Sequence, residues 1–155
     1  MAPTVITSVT DLKDFVGREI AVSDWLTITQ ERINSFAEAT EDRQWIHIDT
    51  ERAERESPFK GTIAHGFLTL SLLAHFMQQA IKIQGGLRMA VNYGLNRVRF
   101  TAPVRSGARI RARIVLLFLK NITEDAVEVI YAVTIEREGS EKPCCVAESI
   151  VRYYS

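Results

Sequence analysis

The segment FLTLSLLAHFMQQAIKI, residues 67–83, decides how this chain folds. Its first half carries apolar side chains around nearly the whole circumference of a helix, which is typical of a helix buried on all sides. A helix of about 17 residues spans roughly 25 Å. The glycines at 85 and 86 provide a natural end for it. The segment therefore predicts one long buried helix at the centre of the molecule.

The half of the chain that follows has the period of strands rather than of helices. Residues 108–118 alternate apolar with other residues, and so do residues 127–135. The predicted strands are 89–100, 108–118, 127–135 and 146–154, with turns at 121–125 and 139–142. A long antiparallel sheet curled around one helix buries the apolar surfaces of both. We therefore predict an α+β hot-dog fold, with residues 1–155 as a single domain. Such a sheet leaves one edge unpaired, so we expect a symmetric homodimer.

Composition restricts the classes of partner. The 155 residues are 46% hydrophobic and 25% charged, which suits one soluble domain. Lys and Arg together number 19, as do Asp and Glu, and this balance gives no support to a nucleic-acid partner. No apolar run reaches the ~18–20 residues of a membrane span, and the N-terminal sequence lacks the features of a signal peptide. We expect a cytoplasmic protein without a membrane partner.

The stretch FAEATEDRQWIHID, upstream of the predicted helix, places Asp42 five residues before His47. Residues 41–44 break the helical pattern before them and predict a loop. On a straight helix the two side chains would point about 140° apart, so they meet only if this loop bends the chain. A carboxylate and an imidazole held together can position one water and move two protons. The alternative is that Asp42 caps the next short helix and His47 is a surface histidine.

Gly66 stands at the N-terminal end of the predicted central helix, directly after His65. Gly costs about 1 kcal/mol relative to Ala in a helix, but its bare backbone lets a ligand approach the unpaired N–H groups of the first turn. These features predict an oxyanion site. The alternative is a tight entry turn in which Gly avoids a clash. His65 would then be a cap or a supporting donor, and His75 is expected to be a core residue.

Other charged and metal-ligating residues carry weaker signals. Arg97, in the sequence NRVRF, could hold a phosphate through its guanidinium, although strand arginines are usually solvated. The sequence has no glycine-rich loop of the kind that cradles phosphates. The three histidines, at positions 47, 65 and 75, do not have the spacing of a metal site. We therefore expect no metal.

Three stretches of the chain resemble one family: DRQWIHID followed by TIAHGF, then NYGLNRVRFTAPVRSG, then CVAESIVRY. Together they are similar to the MaoC-like (R)-specific enoyl-CoA hydratases, also called hydratase 2, over about residues 25–153. The commoner family form has Gly at the position of Glu41 and Asn-Pro at Gln44-Trp45. Gln-Trp at these positions resembles a subgroup described as nodulation-protein-N-like or as 3-hydroxyacyl-thioester dehydratases.

The resemblance implies the reversible hydration of trans-2-enoyl-CoA to (3R)-3-hydroxyacyl-CoA. Asp42 and His47 would hold the water, and the N–H of Gly66 would polarise the thioester carbonyl. The residues assigned to substrate binding are Gln44, His65 and Arg97. The partner would be an acyl-CoA or acyl-carrier-protein thioester. No metal or redox cofactor would be needed, since coenzyme A is part of the substrate.

Two other functions remain open at this point. A hot-dog acyl-CoA thioesterase would also use a carboxylate and a helix N-terminus, but it would hydrolyse the thioester. A non-catalytic acyl-thioester-binding subunit would only hold the ligand. The spacing of Asp42 and His47, with four residues between them, favours hydration over thioester hydrolysis.

Overall fold

A curved antiparallel sheet wraps two short helices in the computed structural model, which describes residues 2–155. The strands are β1 Thr4–Ser8, β2 Arg18–Val22, β3 Leu26–Thr27, β4 Ile81–Gly85, β5 Met89–Arg99, β6 Arg109–Thr123, β7 Ala126–Arg137 and β8 Cys145–Tyr154. The helices are α1 Gln30–Thr40, α2 Trp45–Ile48, α3 Thr50–Glu56, α4 Gly66–Ser71 and α5 Leu73–Ala80, and a turn of 3-10 helix covers Val9–Phe15. Among residues 2–155, no helix is long and apolar enough to cross a membrane.

The main sheet has the strand order β2-β6-β7-β8-β5, and β3 also pairs with β6. All its pairings are antiparallel. The four strands predicted from alternation are confirmed as β5, β6, β7 and β8. The hairpin between β6 and β7 is tighter than expected, because β6 continues to Thr123 before the chain turns.

The concave face of the sheet and one face of the helices form a single core. Leu68 and Phe76 of the helices belong to the same apolar cluster as Ile114 of β6 and Val133 of β7. Ile114 and Val133 are register partners, and both are fully or almost fully buried. Removal of this apolar surface from water is the main term that stabilises such a layer of helix on sheet.

The single helix predicted over residues 67–83 is wrong in two respects. It is divided at Leu72 into α4 and α5, and it ends at Ala80. The next residues, IKIQG, form β4, which pairs in parallel with β1 and places Ile83 opposite Ile6. Their period-2 alternation and β-branched side chains favour a strand when a partner strand is available.

The helices are buried on one side only, so the expectation of burial all round is also wrong for a single chain. Phe67 is 67% exposed, and His75 is exposed rather than part of the core. The exposed side of α4 and α5 faces β5 across two adjoining grooves of about 280 and 210 Å³, which share Ala74 and Asn92. An apolar surface therefore remains open along the β5 edge.

Candidate active site

The loop predicted at residues 41–44 is confirmed, and a backbone reversal at the end of α1 creates it. Thr29 caps the start of α1 by accepting a hydrogen bond from the N–H of Arg32 at 3.2 Å. At the other end Glu41 adopts the left-handed conformation, with φ 64°. Asp42 follows with an exposed carboxylate, whose Oδ1 accepts a hydrogen bond from the N–H of Gln44 at 3.4 Å. The turn thus presents the carboxylate to solvent beside the chain that follows.

His47 lies on α2, a one-turn helix that the sequence did not predict. Its N–H donates to the carbonyl of Gln44 at 3.0 Å, which returns the chain towards the 41–44 loop. The imidazole is only 6% exposed, and its Nδ1 lies 2.7 Å from the carbonyl oxygen of Ile63. A carbonyl only accepts, so Nδ1 carries the proton in the neutral ring. Nε2 is left with its lone pair.

His65 lies directly against His47. The two rings stack with centroids 3.8 Å apart and 23° between their planes. The ring of Phe36 also contacts that of His65, with centroids 4.9 Å apart. His65 Nε2 donates to the backbone carbonyl of Asp42 at 2.8 Å, while its Nδ1 is buried without a partner. At 2% exposure the ring does not reach solvent. The predicted substrate-binding role of His65 therefore does not fit its position, because the ring supports the neighbouring groups instead.

The electrostatic surroundings of His47 favour its neutral form. Burial is the largest influence and lowers the pKa of His47, and the proximity of His65 lowers it further. The hydrogen bond to the carbonyl of Ile63 and the charge of Asp42 act in the opposite direction, but they do not outweigh burial. An imidazole with a lowered pKa is unprotonated at neutral pH, and an unprotonated imidazole can accept a proton.

The structure brings Asp42, His47 and His65 together, with one possible ligand atom of each within 4.8 Å of the others. Among residues 2–155 it is the one group of three potential metal ligands that lie this close together. Each imidazole already uses one nitrogen on a carbonyl. The near-parallel stack also prevents one ion from lying in the planes of both rings, as imidazole coordination requires. The donor set does not fit a metal centre.

Gly66 starts α4 with a φ outside the left-handed region, so the backbone conformation does not require glycine there. The lack of space does require glycine, because a Cβ at this position would lie 2.8 Å from Cδ2 and 2.9 Å from Cγ of Phe100. Phe100 in turn packs edge to face against Phe67, with centroids 5.8 Å apart. Of the two roles considered for Gly66, avoidance of a clash is therefore present in the structure. A cavity of about 310 Å³ opens beside it, lined in part by Thr69, Phe100 and Val104.

Gln44 and Arg97 occupy very different places. Gln44 is exposed next to Asp42 and provides the carbonyl that begins α2. Arg97 lies on β5 opposite Glu148, in a groove on the outer side of the sheet. The neighbouring Val98 packs on the core side of the sheet, where α4 also lies. Within one chain Arg97 is therefore on the opposite face of the sheet from Gly66, and this geometry does not support a substrate-binding role.

Gln30 and Thr62 support the site, and sequence reasoning missed both. The Gln30 Nε2 donates to the carbonyl of His47 at 2.8 Å, and its Oε1 accepts from the Thr62 hydroxyl at 2.6 Å. This bridge joins α1, α2 and the segment that carries His65. That segment is in turn anchored to the loop before β6, where the N–H of Ala64 donates to Val104. A glutamine at the start of a helix carries no signal of this role, since its partners are 17 and 32 residues away.

Fold and site together define a class: a hot-dog protein with a carboxylate and an imidazole at the entrance to its central helices. The model of the MaoC like domain matches residues 11–137, and the chain belongs to this family of MaoC-like dehydratases. It is 51% identical over 146 residues to 3-hydroxyacyl-thioester dehydratase Z of Mycobacterium tuberculosis, covering 94% of this chain and 95% of that protein. The family resemblance inferred from the sequence is thereby confirmed.

Two further comparisons agree. Nodulation protein N of Rhizobium meliloti is 44% identical over 143 residues, covering 92% of this chain and 89% of that protein. The solved structure of the (R)-hydratase from A. caviae involved in PHA biosynthesis superposes with a TM-score of 0.71 at 21% identity, covering 88% of this chain and 94% of that one. The hot-dog fold is confirmed, and a hydratase or dehydratase of 3-hydroxyacyl thioesters is supported at the level of the family.

Proposed function

We propose that this protein catalyses the reversible hydration of trans-2-enoyl-CoA to (3R)-3-hydroxyacyl-CoA, with Asp42 and His47 as the acid–base pair. One observation carries the proposal. The exposed carboxylate of Asp42 lies beside a buried His47 whose Nδ1 is tied to the carbonyl of Ile63. The remaining nitrogen of His47 is thereby left as an acceptor next to a group that can hold or release a proton.

The proposed reaction uses one water held between the two side chains. His47 Nε2 takes a proton from this water as its oxygen bonds to C3 of the enoyl group. The proton on His47 then passes to the carboxylate of Asp42, which delivers it to C2 as the C2–C3 double bond becomes a single bond. Both side chains thereby return to their starting states. General acid–base catalysis of this kind contributes about 10²–10⁴-fold.

The thioester carbonyl needs a partner as negative charge develops on its oxygen. The first N–H groups of a helix have no partner within the helix and carry partial positive charge. The N–H of Gly66 begins α4 immediately after His65, and we assign it this role. The reaction requires no metal or redox group. Coenzyme A or an acyl carrier protein would belong to the substrate.

The working form is proposed to be a homodimer. β5 is an edge strand with both faces exposed, and its apolar residues include Tyr93 and Leu95, at 57% and 46% exposure. The grooves between β5 and the helices add more apolar surface beside it. An edge strand of this length and composition is a template for pairing, and a second copy of the same strand would cover it.

Absorbance of the enoyl-thioester band with crotonyl-CoA, read beside a free-thiol assay, tests the proposed function. Loss of the band without release of thiol is the expected result. Release of thiol would make the protein a thioesterase. If neither signal appears over a panel of enoyl-CoA chain lengths, the protein is a binder of acyl thioesters rather than a hydratase.

A further inference from the structure

His65 contacts the segments that carry Asp42, His47 and Gly66, although it is almost completely buried. Its Nε2 holds the backbone of Asp42, and its ring lies flat against the ring of His47. As the N-cap residue of α4 it is also covalently bonded to Gly66. The carboxylate, the imidazole and the helix N-terminus come from three different segments, and His65 joins all three.

The hydrogen bonds of the stacked pair place the proton on different nitrogens of the two rings. His47 donates from Nδ1 to the carbonyl of Ile63, and His65 donates from Nε2 to the carbonyl of Asp42. This leaves the Nδ1 of His65 as a buried acceptor without a partner. An unpaired buried acceptor costs free energy, so local stability alone would favour another side chain. Phenylalanine could stack and glutamine could donate, whereas the histidine does both.

We propose that His65 is a positioning residue: its Nε2–H bond and its stacked ring set the place of the Asp42 carboxylate relative to the His47 imidazole. The proposal rests on the proposed function and adds a residue to it. A displacement of about 1 Å between reacting groups can cost on the order of 10²-fold in rate. His65 does not touch the substrate, since only 2% of its surface is exposed.

His65 also affects when His47 becomes protonated. The groups that act on His47 are the carboxylate of Asp42, the carbonyl of Ile63 and the imidazole of His65. After burial, His65 is the influence that lowers the pKa of His47, so removal of its imidazole should raise that pKa. Loss of activity at low pH, caused by protonation of the base, should therefore begin at higher pH in a His65 variant.

Two substitutions separate the two contacts. His65→Gln retains a donor amide for the Asp42 carbonyl but removes the stacked ring, whereas His65→Phe retains the ring and removes the donor. We expect each to lower kcat by about 10- to 100-fold, with KM within about twofold of the wild type. In His65→Gln the acidic limb of the pH profile should also move to higher pH. The control is Glu54→Gln, at an exposed position of α3 outside the site, which should change none of these values.

Nitrogen NMR of the imidazoles tests the same proposal without turnover. In the wild type at pH 8, His47 should carry its proton on Nδ1 and His65 on Nε2. In His65→Gln the titration of His47 should move to higher pH. The opposite tautomer at His65, or folded variants with unchanged kcat and unchanged His47 titration, would overturn the positioning role. Absence of hydration by the wild type would contradict the proposed function, and the NMR result would still decide the arrangement of the two rings.

Discussion

At the scale of single residues, the site depends on a few backbone carbonyls. The carbonyl of Ile63 selects the tautomer of His47, and the carbonyl of Asp42 selects that of His65. Both acceptors are backbone groups, so no residue type in the sequence indicates these hydrogen bonds. The outcome is a buried imidazole with an unprotonated Nε2 beside an exposed carboxylate.

The acid–base pair gives the most direct test at this scale. Asp42→Asn and His47→Gln should each lower kcat by at least about 10²-fold, the lower end of the range for general acid–base catalysis. In the proposed mechanism both residues act on one water, so the double variant should lose far less than the product of the single losses. Steady-state kinetics with circular dichroism as a check on folding provides the measurement. Near-normal turnover in a folded single variant would remove that residue from the mechanism.

Gly66 can be tested through its contact with Phe100. In Gly66→Ala the new methyl group would strike the ring, so we expect a lower melting temperature, with a cost of about 1–3 kcal/mol typical of overpacking. Activity should fall as well. A loss of stability alone would not distinguish a tight fit from an oxyanion role.

The double variant Gly66→Ala with Phe100→Ala removes the clash and separates the two roles. Its melting temperature should return to that of Phe100→Ala alone. If the methyl group also obstructs the approach of the thioester to the backbone, kcat of the double variant should stay about 10²-fold below that of Phe100→Ala. This factor is the scale of one oxyanion donor. Recovery of both stability and kcat would leave Gly66 with a packing role only.

At the scale of elements, the end of α1 sets the direction of the loop that carries Asp42. Glu41 takes the left-handed conformation that ends this helix, a place where glycine is common because it has no Cβ. Left-handed backbone costs an L-residue about 1–2 kcal/mol. The chain therefore retains some strain immediately before Asp42.

Replacement of Glu41 by Gly should relieve this strain. We expect the free energy of unfolding to rise by about 0.5–1 kcal/mol, since the greater flexibility of unfolded glycine offsets part of the gain. Thermal unfolding followed by circular dichroism would detect a rise of roughly 2–4 °C per kcal/mol for a chain of this size. The matched control is Glu54→Gly, at an exposed position within α3, which should lose about 1 kcal/mol. Equal losses in both variants would contradict the strain at Glu41.

At the scale of the whole molecule, a single chain leaves part of its apolar surface exposed. Apolar residues of β5 and the outward face of α4 and α5 border the same two grooves. Phe67 is exposed at one end of this surface and Leu87 at the other. In the proposed homodimer a second copy of the chain would cover this surface.

Light scattering at micromolar concentration should therefore report a mass near twice 17.5 kDa. Leu95→Asp, on β5, places a charge in the proposed contact and should shift the mass towards the monomer. Leu117→Asp on β6 is the control, because this leucine has a similar exposure of 40% but lies away from the β5 edge. A monomeric wild type that still hydrates substrate would contradict the dimer.

The sequence by itself determined those features that depend on periodicity and local chain direction. Alternation predicted the four long strands, and the break after α1 predicted the loop that carries Asp42. These patterns are local, because a side chain's direction repeats every two residues in a strand. The proximity of Asp42 and His47 needed this bend and also α2, in which the N–H of His47 donates to the carbonyl of Gln44.

Tertiary structure alone decided the rest. Residues 81–85 form a strand because β1, far earlier in the chain, provides a partner, although their apolar pattern by itself predicts the continuation of a helix. His65 was buried by Phe36 and His47, and Gly66 was restricted by the ring of Phe100, which arrives from the end of β5. Arg97 was carried to the outer face of the sheet by the register of β5 with β8. Each outcome depends on a contact between segments distant in sequence, and local patterns contain no information about such contacts.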